Sequence, residues 1–163
     1  MKHTISVLVE NNAGVLARIA GLFARRGFNI DSLAVGVTDD ERVSRITIVA
    51  EGSEYTLEQI EKQLNKLIDV IKVKTLQTDS TVCRELVLIK VGCTAAQRPE
   101  LVSIAEIANG KIADISQTTM TIELSDSKQQ IDNFEELLRP YGIKEIVRTG
   151  TIAMQKGEAS VRV

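Results

Sequence analysis

The amino-acid sequence predicts an α+β chain built as two tandem ferredoxin-like βαββαβ units. Short runs of alternating apolar residues and longer runs at helical spacing follow one another in the order strand, helix, strand, strand, helix, strand, and a second such cycle starts after a polar, aperiodic stretch at residues 77–81. At 163 residues, with 44% apolar and 26% charged side chains, the chain has the balance of a folded protein and enough length for two small domains.

The first strand is read at residues 4–10, where Ile5, Val7 and Val9 alternate with polar neighbours. A helix follows over residues 15–26, with the stripe Val15, Leu16, Ile19, Ala20, Leu22 and Phe23, and Gly27 ends it. Residues 28–37 read as a strand with Ile30, Leu33, Val35 and Val37. A polar hairpin loop at 38–44 leads to a strand at 45–51 carrying Ile46, Ile48 and Ala50. Thr56 offers a capping box with Gln59 ahead of a second helix marked by Leu57, Ile60, Leu64 and Leu67. At residues 70–76, Ile71, Val73 and Thr75 alternate with Lys72 and Lys74, the pattern of a half-exposed antiparallel strand.

Residues 77–83 are expected to link the first domain, 1–76, to a second, 84–163. There a strand at 84–91 precedes a helix with Pro99 in its first turn and Asn109-Gly110 as its stop. Strands at 111–117 and 119–124 come next. Ser127 caps a helix with Ile131, Phe134, Leu137 and Leu138, Pro140 and Gly142 end it, and residues 143–152 form the last strand before a polar tail.

Several function classes drop out on composition. A formal net charge of -2 disfavours a polyanionic partner such as nucleic acid. An RNA-binding sheet of this topology would need aromatic residues on its central strands, and Phe23, Phe134, Tyr55 and Tyr141 fall on helices or turns, with Phe28 at a strand's edge. The apolar run at Ile5 to Val9 is too short for a secretory segment, and no run approaches about 18 apolar residues, so a cytoplasmic, membrane-free protein is expected. Cys83 and Cys93 lie near opposite ends of one strand, too far apart to bridge, and read as reduced thiols. His3 stands alone, which leaves no metal-ligand spacing and no Ser/His/Asp or Cys/His set.

The most informative stretch runs from Glu10 to Ser32. Asn11, Asn12, Ala13 and Gly14 form a polar turn where strand meets helix, and the first N–H groups of that helix have no intrahelical partner. Two readings stand side by side. The Asn and Gly residues act as a cap and a positive-φ position, or the turn receives a small carboxylate or phosphate. An arginine that would hold phosphate in an acylphosphatase-like enzyme is missing from the loop, the nearest being Arg18 a helical turn inside.

Asn11, Asn12, Gly14, Val15, Leu16, the Gly-Phe-Asn-Ile run at 27–30 and Thr38-Asp39-Asp40 together resemble the small regulatory subunit family of acetolactate synthase (acetohydroxyacid synthase). The similarity continues through residues 58–64, Lys66 and Leu67, and more thinly through Arg84-Glu85-Leu86. The resemblance implies that the first unit is an ACT domain, which senses an amino acid and dimerises, the first strands of two copies pairing side by side. It further implies valine as the ligand, bound by Asn11, Gly14, Val15, Leu16, Asn29 and Ile30. The carboxylate would meet the N–H groups around Gly14, Val15 and Leu16, the two asparagines would serve the charged ends, and Val15, Leu16 and Ile30 would enclose the isopropyl group.

The implied partner is a large catalytic subunit using thiamine diphosphate, FAD and magnesium. This chain is expected to hold none of them, since the Gly-Asp-Gly motif of thiamine enzymes is absent. A stand-alone amino-acid sensor and a small ferredoxin-like enzyme are the alternative readings, the latter disfavoured by the missing catalytic sets.

Overall fold

The computed structural model describes residues 1–163. Its first half contains β1 (Lys2–Glu10), α1 (Val15–Arg26), β2 (Ile30–Val37), β3 (Val43–Glu51), α2 (Glu54–Leu64) and β4 (Val70–Leu76). A 3-10 turn, Thr78–Ser80, leads into β5 (Thr81–Gly92), followed by α3 (Arg98–Ile107), β6 (Lys111–Ile115), β7 (Thr119–Asp126), α4 (Lys128–Leu138), β8 (Ile143–Arg148) and β9 (Ile152–Gln155). Both βαββαβ cycles form, so the predicted fold class holds. No helix is long and apolar enough to cross a membrane.

The first sheet has the order β2-β3-β1-β4, all antiparallel. Alternation places Ile5, Val7 and Val9 of β1 and Ile46, Ile48 and Ala50 of β3 on one face, where they pack with Val15, Ile19, Leu22 and Phe23 of α1 and Leu57, Ile60 and Leu64 of α2. The buried stripe of α1 is narrower than the sequence pattern suggests: Leu16 is 42% exposed and Ala20 is exposed too. Gly27, at φ 67°, ends the helix as expected. The cap of α2 differs from the expected Thr56–Gln59 pair. Ser53 is the N-cap and accepts the Thr56 N–H at 3.2 Å, so the helix starts at Glu54 and Thr56 lies inside it.

The central position of β1 corrects the expected dimer geometry. Its backbone groups are already paired with β3 on one side and β4 on the other, so β1 has no edge to offer a second copy.

In the second cycle the order is β6-β7-β5-β8, with β9 also paired to β5. Val87, Ile89 and Val91 pack with Met120, Ile122 and Leu124 under Leu101 and Ala105 of α3 and Ile131, Phe134 and Leu138 of α4. Ser127 caps α4 as predicted, accepting the Gln130 N–H at 3.3 Å. The single strand expected over residues 143–152 is instead two, β8 and β9, separated at Thr149-Gly150-Thr151, with Gly150 at φ 84°.

That break decides the division of the chain. One compact unit comprises Met1–Val82 together with Thr151–Val163, and the other comprises Cys83–Gly150. The sequence pattern alone assigns residues 151–163 to the second domain and 77–83 to a linker; packing places the terminal segment in the first unit, and Thr81 onward is already strand β5. The segment lies on the sheet face turned away from α1 and α2. Thr151 N–H donates to Ser32 Oγ on β2 at 2.7 Å, Arg45 on β3 donates to the Ala153 carbonyl at 2.6 Å, and Lys72 on β4 to the Arg162 carbonyl at 2.8 Å. This cover explains why Ser6, Leu8 and Thr47, which point away from the main core, are nonetheless 0%, 2% and 3% exposed.

Candidate functional site

The turn between β1 and α1 is held from two directions. Asn11 N–H donates to the Arg42 carbonyl at 2.8 Å and the Asn11 side-chain amide to the Glu41 carbonyl at 2.8 Å, tying the turn to the β2–β3 hairpin. Glu10 N–H donates to the Asp69 carbonyl at 2.9 Å, tying it to the start of β4. With its Nδ2 engaged, Asn11 keeps its Oδ1 as an acceptor.

Gly14 is the residue before α1 and sits at φ 87°, in the left-handed region that glycine occupies without a Cβ penalty. It contributes no side-chain cap, so the N–H groups of the first turn, at Leu16 and Ala17, face outward with the positive end of the helix dipole. Both sequence readings of the turn meet here. Gly14 supplies the special backbone angle and also leaves the helix start uncovered.

Arg18 is the residue that sequence reasoning set aside. A Cβ placed on Gly14 would stand 3.6 Å from Arg18 Nη1, so the guanidinium flanks the same uncovered turn. Its Nε donates to Asp69 at 2.7 Å, which fixes the side chain although it is 51% exposed. The signal was present as the i, i+4 spacing of Gly14 and Arg18, which puts them on one helix face. Exposed backbone N–H groups beside an anchored arginine can receive a carboxylate.

The remaining predicted residues divide. Val15 is 4% exposed and belongs to the core, so its N–H rather than its side chain is near the turn. Leu16 is exposed beside Gly14. Asn29 and Ile30 lie past the other end of α1, whose 12 residues span roughly 18 Å. There Asn29 donates to Asp31 at 3.0 Å, Asp31 pairs with Lys2 at 2.6 Å, and Ile30 packs partly against the core. Within one chain the structure therefore brings Asn11, Gly14, Val15 and Leu16 together and keeps Asn29 and Ile30 apart from them.

The hairpin that holds Asn11 is itself stabilised by charge. Hydrogen bonds from the Arg42 side chain and then its N–H hold the Asp40 carboxyl at a pKa of about 2, below the usual 3.8. The Thr38 hydroxyl donates within the same turn, at 3.0 Å to the Val43 carbonyl.

Comparison with known proteins agrees with this architecture. Residues 5–72 match the family described as AHAS small subunit-like ACT domain, and residues 84–157 match the family described as small subunit of acetolactate synthase. A probable acetolactate synthase small subunit of Archaeoglobus fulgidus is 52% identical over 157 residues, covering 96% of this chain and 98% of the relative. The acetolactate synthase small subunit of Mycolicibacterium smegmatis is 45% identical over 159 residues, covering 98% and 94%. The crystal structure of the acetolactate synthase small subunit from Thermotoga maritima superposes with a TM-score of 0.91 at 39% identity, covering 98% of this chain and 99% of that one. Two adjoining family matches that together span nearly the whole chain, and a fold that agrees along its length, have one reading: the chain belongs to the family of small, regulatory subunits of acetolactate synthase.

Proposed function

We propose that this chain binds valine at the β1–α1 turn and, through that binding, imposes feedback inhibition on a separate catalytic subunit that it otherwise activates. The observation that carries the reading is the uncovered start of α1 at Gly14 with Arg18 anchored beside it, a receptor for the carboxylate of a small amino acid. Asn11 Oδ1 serves the ammonium group, and exposed Leu16 offers an apolar wall. The decarboxylation chemistry, with its thiamine diphosphate, FAD and magnesium, belongs to the large subunit, and this chain acts in the cytoplasm without a cofactor of its own.

A homodimer completes the site. Of the two free sheet edges, β4 carries the exposed lysines Lys72 and Lys74, which guard against strand pairing, whereas β2 presents exposed Val35, Gly36 and Val37. Antiparallel pairing of β2 with the same strand of a second copy brings the start of the partner's strand alongside Val37. Val37 adjoins the hairpin that holds Asn11, so the second copy's Asn29 and Ile30 approach the first copy's Gly14. Each valine then touches both chains.

The test uses Asn11→Ala and Asn29→Ala, each expected to lose tight valine binding as a homodimer. Unfolded and refolded together, they form heterodimers in which one site carries both lesions and the other neither, so calorimetry should find binding restored at about half a site per subunit of heterodimer. Recovery of nothing would refute the shared site. Mixing the wild-type chain with its catalytic subunit should raise acetolactate formation and make it valine-sensitive; turnover by this chain alone would overturn the regulatory reading.

A further inference from the structure

The second unit repeats the two backbone hydrogen bonds that frame the β1–α1 turn. Gly92 N–H donates to the Gly142 carbonyl at 2.9 Å and Cys93 N–H to the Thr118 carbonyl at 2.8 Å, just as Glu10 donates to Asp69 and Asn11 to Arg42. Glu10 thus corresponds to Gly92, Asn11 to Cys93, Arg42 to Thr118 and Asp69 to Gly142.

What differs is the filling. In the first unit the position that corresponds to Gly142 is Asp69, whose side chain, 10% exposed, pairs with Arg18. The second unit has glycine at both framing positions, and a cavity of about 350 Å³ opens there. That volume is at the lower end of the range for small-molecule sites. Gly92 is required for it: a Cβ would stand 2.9 Å from the Tyr141 carbonyl oxygen and 3.7 Å from Lys144 Cε.

The lining side chains include Cys93, Thr94, Gln97, Gln117, Tyr141 and Lys144, and Lys144 is the one charged residue among all those that line the cavity. Thr94 N–H donates to Gln97 Oε1 at 3.1 Å and Gln97 N–H to Thr94 Oγ at 3.3 Å. Each of these oxygens thereby accepts one hydrogen bond, and the Gln97 amide N–H groups and the Thr94 hydroxyl proton remain to be donated. Glu100 is not among the lining residues, and its carboxylate pushes the pKa of the Tyr141 hydroxyl up. The lining thus offers donors and one cation, and it holds no carboxylate for an ammonium group.

We propose that this cavity is a second small-molecule site, for an oxyanion bearing a carboxylate or a phosphate and no cationic group. It is distinct in chemistry from an amino-acid site, and it stands whether or not valine binds the first unit. Titration of the ¹⁵N-labelled full chain with propanoate and with inorganic phosphate, at constant ionic strength and with chloride as control, tests it. One of the two oxyanions should give saturable amide shifts confined to residues 92–97, 117–119 and 141–144, and which one saturates assigns the headgroup. Lys144→Gln, at an exposed position, should weaken that binding at least about tenfold. Absence of saturable shifts with both oxyanions, equal shifts with chloride, or unchanged affinity in Lys144→Gln would overturn the proposal.

Discussion

Arg18 Nε and an Asp69 carboxylate oxygen lie 2.7 Å apart, joining the start of α1 to the start of β4 across the mouth of the β1–α1 turn. The pair sets the direction of the guanidinium, whose Nη1 faces the place where Gly14 lacks a side chain. Asp69 is largely buried while Arg18 is half exposed, so the link serves positioning more than stability.

Gly14→Asp should therefore abolish valine sensitivity. The new carboxylate would sit beside Arg18 and repel the ligand's own by roughly 4 kcal/mol at about 4 Å and an effective dielectric near 20, less where water screens it. The backbone cost at φ 87° is about 1 kcal/mol, small enough for the fold to survive. Valine inhibition kinetics and a melting curve check the two halves, and unchanged inhibition would place the anion end elsewhere.

Arg148→Met should destabilise the second unit by about 1 to 3 kcal/mol in urea unfolding, because Glu85, Asp132 and Glu135 would lose a cation that all three share, and Glu85 is only 4% exposed. Arg148 also donates to Asp132 at 2.7 Å and Glu135 at 3.0 Å. Burial opposes its charge, but these carboxylates prevail and raise its pKa. Adding Glu85→Gln to Arg148→Met should recover part of the loss; strict additivity would show that the pair is not coupled.

The hairpin turn should titrate at unusually low pH. Asp40 has its folded pKa lowered, so its small stabilising contribution is present above the ordinary value of 3.8 and is lost as pH falls through about 2. An NMR titration of the Asp40 carboxyl should find that midpoint, and Arg42→Gln should move it back toward 3.8.

Removing residues 151–163 should expose Leu8 and Val49 on the outer face of the first sheet and lower stability by roughly 3 kcal/mol. The far-UV spectrum should keep most of its helix signal, since α1 and α2 pack on the opposite face. A melting temperature equal to that of the full chain would show that the segment is not a structural cover.

Element order was legible because each strand and helix obeys its own period, and α1 was readable to its end residues through Gly14 and Gly27. What was not legible lay across the chain. Nothing local in residues 151–163 announces that Ala153 and Arg162 carbonyls will meet Arg45 and Lys72, because those partners are distant in sequence. The central place of β1 is likewise a property of strand order, invisible to alternation alone. Arg18 lies a full turn along the helix from the loop, yet its angular position directly above Gly14 is what brings it to the turn, and linear distance in the sequence hides this.

The return of residues 151–163 to the first unit makes the second unit an insertion within the first, entered at Val82 and left at Thr151. During synthesis, then, the N-terminal half cannot finish folding when its own six elements have left the ribosome. Its outer sheet face, with Leu8 and Val49, stays open until the whole second unit and the last residues have followed, so the domain made first is completed last.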